Sequence, residues 1–136
     1  MKPETADYLA KARESLDEAQ KTFQIGLMKV AARATYFVAF HAAQALIFER
    51  AGKVAKTHSG VHAEFARLTL VKPGLDPAFV KFLSHAYSFK EISDYSIDPR
   101  KTVTPGECSE AIANVQKLVS AIAAILDATP PDNPPR

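Results

Sequence analysis

Arg33 and His41 bring together a fixed cation and a side chain that titrates near neutrality. Such a pair could cleave RNA without a metal. The imidazole would shuttle the proton of a 2′-hydroxyl while the guanidinium stabilises charge on the phosphorane. On one helix, their eight-residue separation corresponds to about 12 Å of axis, too far to share one phosphate oxygen within a monomer. In a dimer, one chain's Arg33 could approach the other's His41. The bland alternative makes His41 a hydrogen-bonded core histidine and pairs Arg33 with a carboxylate such as Asp94.

A second cluster joins Lys53, Lys56, His58 and His62 around a connection and the start of a short helix. Free amides at that start, with the cations, could bind a phosphate; the competing reading is a capped, solvated loop. His58 and His62, four apart, have the spacing of a helical metal pair, but Glu64 points elsewhere and no third ligand stands nearby. No metal or cofactor is expected. Asp94 could accept from Arg33 or Lys90 and tie two helices together, with Tyr95 stacking on a base or a partner, or simply rimming a salt bridge. Cys108 falls in a first helical turn, where a thiolate is favoured, yet has no histidine beside it in sequence. No residue is assigned a catalytic role.

The elements that must position these groups are helical. Leu9, Ala12, Leu16, Ala19 and Phe23 step by three and four, predicting a helix over 4–24 that Gly26 ends. Residues 29–50 are apolar almost all round, from Val30 to Phe48, which predicts the central element, stopped by Gly52 in a left-handed cap. A weaker helix near 58–70 follows, with Thr57 or Ser59 as cap, and Lys72-Pro73-Gly74 breaks the chain. Asp76-Pro77 starts the next helix, whose apolar face carries Phe79, Phe82, Leu83, Ala86, Tyr87 and Phe89. Thr104-Pro105-Gly106-Glu107 reads as a capping box opening a last helix to about Ala128.

The fold class is therefore all-α: an antiparallel up-and-down bundle of four long helices plus one short helix, over residues 1–128. Residues 129–136 hold four of the nine prolines and are expected to be a disordered tail. With 136 residues, 47% hydrophobic and 24% charged, the chain fits one globular domain. No uninterrupted apolar run approaches the ~18–20 residues of a membrane span, and the N-terminus does not read as a secretory signal. A single cysteine excludes an internal disulfide, so a cytoplasmic setting is expected. A net charge of +2 falls short of the footprint of a dedicated DNA binder.

Arg33-Ala34-Thr35-Tyr36-Phe37-Val38-Ala39-Phe40-His41-Ala42-Ala43-Gln44-Ala45-Leu46 resembles the central helix of the HEPN family of small prokaryotic bundles. Lys56-Thr57-His58-Ser59-Gly60-Val61 is similar to the segment opening that family's short third helix. Lys90-Glu91-Ile92-Ser93-Asp94-Tyr95 is similar to its Arg-x-x-Ala-Asp-Tyr near the end of the fourth. The motifs come in the family's order, and the resemblance covers about residues 4–128. It implies a helical protein often paired with a minimal nucleotidyltransferase. Many members resemble one another as metal-independent ribonucleases, through an Arg, four to six intervening residues, then His, two such motifs meeting across a dimer interface; here Arg33–His41 and Arg50–His58 each have seven residues between them. His85 has Lys81 before it but no arginine at the required distance. Lys90 replaces the commoner arginine, keeping the charge but not the planar fork.

The resulting expectation is a homodimer that binds a nucleotide or RNA in an interface groove and partners a nucleotidyltransferase in a toxin–antitoxin-like pair. Its ligand residues would be Arg33, His41, Lys56, His58, Lys90, Asp94 and Tyr95. The dimer is argued from apolar surface, on the central helix and on Phe79, Phe82, Tyr87 and Phe89, that one small bundle would struggle to cover. The alternatives are a non-catalytic dimerisation and docking module, and a divergent metal-independent ribonuclease.

Overall fold

The computed structural model describes residues 1–71 and 74–128. Five helices follow in order: α1 (Pro3–Gln24), α2 (Met28–Ala51), α3 (His58–Val71), α4 (Ala78–Tyr95) and α5 (Pro105–Asp127). The proline-rich tail expected from Thr129 lies outside the described residues, as do Lys72 and Pro73.

Local chemistry accounts for the boundaries. Gly26 and Gly52 take positive φ, 81° and 72°, and close α1 and α2. Thr57 Oγ1 accepts from the Gly60 amide at 3.0 Å and caps α3. Asp76 Oδ1 accepts from the Ala78 amide at 2.9 Å, with Pro77 already in helical geometry. Thr104 and Glu107 close a reciprocal capping box at the head of α5.

Contacts at the helix ends set the topology. The start of α1 meets the end of α2 through Tyr8–Phe48 and Lys2–Glu49. The start of α2 meets the end of α4 through Arg33–Asp94. Ala31, Ala32 and Ala34 share a cluster with Cys108 and Ile112 of α5 and Ala19 of α1. The four long helices therefore alternate in direction, α1 and α4 one way, α2 and α5 the other, with α3 leaning on α2 and α4.

All four other helices touch α2, as its all-round apolar pattern requires. Tyr36, Val38, Leu46 and Ile47 are buried along it, each large apolar side chain contributing about 1.5–3 kcal/mol. By length and mean hydropathy α2 and α5 would each suffice to cross a membrane, although polar residues such as His41 and Gln44 in α2 and Lys117 in α5 interrupt both apolar stretches. In α2, however, 72% of that stretch is buried inside the bundle, as befits a core helix.

The aromatics expected to need a partner's cover mostly find it within the chain. Phe79 is buried, and Phe82, Tyr87 and Phe89 are half-buried against the core. The open apolar surface lies elsewhere. Between Ala31 and Glu49 every residue of α2 is buried except Arg33, Phe37, His41, Gln44 and Phe48, which form one continuous stripe.

Candidate functional site

Spacings of three and four residues carry that stripe along one face of α2. At its centre the half-buried Phe37 ring collects nitrogen-bearing groups. The Arg33 guanidinium sits 5.4 Å from the ring centroid, His41 stacks on it at 5.6 Å and 29°, and His58 approaches edge-on at 6.3 Å. Three residues expected at the site, Arg33, His41 and His58, thus share one aromatic ring that the sequence reading had not singled out. Its signal was present: positions 33, 37 and 41 are successive turns of one helix.

Each nitrogen has a defined partner. His41 Nδ1 lies 2.7 Å from Gln44 Oε1, and a carbonyl oxygen accepts, so His41 carries its proton on Nδ1. Burial lowers its pKa, and the Gln44 bond opposes that only in part. His41 is therefore hydrogen-bonded, as the bland reading held, but half-exposed rather than in the core.

Arg33 and Lys90 converge on Asp94, at 3.7 Å and 3.1 Å from Oδ2. The two pairs differ in exposure: the Lys90 side chain is 10% exposed, that of Arg33 55%. Lys90 Nζ also lies 5.9 Å from the Tyr87 ring and 5.6 Å from that of Tyr95, which is 71% exposed. The structure thus brings together Arg33, Lys90, Asp94 and Tyr95, the cross-helix tie expected of Asp94. Lys56 is left out: it is exposed in the α2–α3 connection with no ion pair among the described residues.

Behind Phe37 lies a polar seam that sequence reasoning missed. The Tyr36 hydroxyl stands 2.6 Å from His58 Nδ1 and 3.0 Å from His62 Nε2. Burial, then the charges of Tyr87 and Glu91, push the Tyr36 pKa far up, so the phenol stays protonated. Burial and the neighbouring His58 lower that of His62. The i, i+4 histidine pair is spent on a tyrosine, and no group of three ligand-type residues suited to a metal occurs among the described residues. A buried tyrosine on a core helix needs a hydroxyl partner, the one signal that could have found this seam. Cys108 corrects an expectation: burial, not the helix terminus, governs the thiol and raises its pKa.

A family model described as HEPN domain matches residues 5–125. The chain belongs to the HEPN family. A UPF0332 protein of Archaeoglobus fulgidus is 31% identical over 121 residues, covering 84% of this chain and 91% of that protein. The central-helix, third-helix and fourth-helix motifs of this HEPN chain supply Arg33, Tyr36, His58, Lys90 and Asp94, the groups just assembled in space.

Proposed function

We propose that the protein is a homodimeric HEPN bundle that binds a nucleotide or RNA in a groove where the open α2 stripes of two copies meet. It would serve as helical partner to a nucleotidyltransferase in a toxin–antitoxin-like pair. The observation that carries the binding reading is the half-exposed Phe37 ring, flanked by Arg33, His41 and His58. A base stacked on such a ring gains about 1–3 kcal/mol, and an arginine beside it meets the phosphate. Support for the dimer comes from the stripe itself. It runs on from Phe37 to Phe48, beside a groove that Tyr8, Lys11 and Glu14 help line, and a two-fold axis would let Lys11 and Glu14 pair reciprocally. The nucleotidyltransferase partnership rests on the family alone.

Light scattering tests the assembly: a mass near 14.8 kDa refutes the dimer. Fluorescence anisotropy with single-stranded RNA, chelator present, tests the ligand. Arg33→Ala is expected to weaken binding about tenfold. No binding by the intact protein would leave a docking module, whereas cleavage abolished by His41→Ala would make it a divergent ribonuclease.

A further inference from the structure

Tyr36 is fully buried, yet its hydroxyl bridges two imidazoles that belong to the next helix. A phenol has one proton, so it donates to one ring and accepts from the other. Bond lengths favour one assignment of the roles. Hydroxyl donors make bonds of about 2.7 Å and ring N–H donors of about 2.9–3.0 Å. By that measure the 2.6 Å contact suits Tyr36 O–H donating to His58 Nδ1, and the 3.0 Å contact suits His62 Nε2–H donating to Tyr36. We propose that this chain of hydrogen bonds fixes His58 with its own proton on Nε2, and that this N–H, on the ring edge away from Tyr36, donates to a phosphate oxygen of the bound ligand.

The proposal rests on the nucleotide-binding reading and specifies one contact within it. His58 is exposed, and its Nε2 has no hydrogen-bond partner among the described residues. A ring locked as the Nε2–H tautomer offers no lone pair on its unpartnered edge. It therefore suits an acceptor-only group, such as a phosphate oxygen, and neither a metal ion nor the proton a general base would take. Across Phe37, His41 is held in the opposite tautomer by Gln44. The His58 ring is also braced against Phe40, 4.7 Å between centroids, so its donor keeps one direction. Tyr36 is then a positioning residue, with His62 behind it.

Long-range proton–nitrogen spectra of the full-length protein, labelled with nitrogen-15 in histidine, read the tautomer directly. At pH 7.5 His58 is expected as Nε2–H, and inorganic phosphate, then a uridine hexanucleotide, should shift that nitrogen. Tyr36→Phe should give a mixed tautomer and weaken hexanucleotide binding about fivefold at unchanged helicity. His62→Gln, which keeps a donor to Tyr36, should stay within about twofold. Finding Nδ1–H in the wild-type protein overturns the proposal whether or not the variants fold. A hexanucleotide that binds without moving His58 overturns it while leaving the function reading intact. If the hexanucleotide does not bind, that reading falls, and a phosphate-induced shift at His58 alone then supports the donor site.

Discussion

Two carboxylates, one at each end of α2, are each shared by a pair of donors, and they do different work. Glu49 is 7% exposed and accepts on one oxygen from the Lys2 amide at 2.9 Å and the Thr5 hydroxyl at 2.8 Å. Burial alone would raise its pKa, but those two bonds and the Lys2 charge outweigh it, and the value falls below the ordinary one. The donors are the residue that caps α1 and one in its first turn, so the knot fastens α1 to α2 and shows little to solvent. Asp94 instead faces two cations, Lys90 held closely and Arg33 loosely and half in water. On the proposed reading, a phosphate would draw Arg33 away without stranding Asp94, because Lys90 remains. The closed end stabilises the bundle; the open end keeps a displaceable cation.

Stability measurements can break that contrast, beginning where the effect should be greatest. Glu49→Ala strands a buried hydroxyl and an amide and should remove about 2–3 kcal/mol in urea unfolding, with RNA binding unchanged. Lost binding at intact stability would make the closed end functional and sink the comparison. Gly60→Ala comes next. A Cβ there would lie 2.6 Å from Ala55 Cβ and 2.9 Å from Thr57 Oγ1, so about 1–2 kcal/mol is expected, along with a displaced His58. An unchanged melting temperature would mean the connection yields freely.

Acidity gives a smaller, graded effect. His41 and His62 have pKa values lowered on folding, so their stabilising contribution is complete above the ordinary value of 6.5 and is lost as pH falls below it. Glu49, also lowered, adds its loss only once pH drops through the carboxylate range. His62→Gln should flatten the first decline and Glu49→Gln the second; identical profiles would refute both assignments. Arg33→Ala should change stability least, by no more than about 0.5 kcal/mol, since its ion pair is long and exposed. A larger loss would show the open end to be structural.

How far the sequence foretells this depends on the range of each interaction. The capping box was legible because Thr104 and Glu107 are three residues apart and bond each other. The centrality of α2 was legible because its pattern left no polar face, and the Arg33–Asp94–Lys90 tie because few buried-side charges were available. The Tyr36 bridge was not, since its partners stand 22 and 26 residues away and an aromatic on a core helix reads as filling. Glu49 escaped for the opposite reason: a glutamate late in a helix reads as solvated, and only the return of α1 buries it. Phe37 was counted as core because nothing local says which stripe of an apolar helix stays open.

The α1–α2 hairpin also sets an order of events as the chain is made. Its turn at Gly26 is short, and Tyr8–Phe48 and the Glu49 knot clasp its far end, so little chain entropy opposes closure once residue 51 has emerged. Ala31, Ala32 and Ala34, however, share their cluster with Val103, Cys108 and Ile112, which are synthesised more than fifty residues after the hairpin ends at residue 51. At about 5–20 residues per second, the nascent hairpin carries an uncovered apolar seam for several seconds. Slowing elongation through α4 and α5 lengthens that interval and should lower the yield of soluble protein, whereas slowing it through α1 should not.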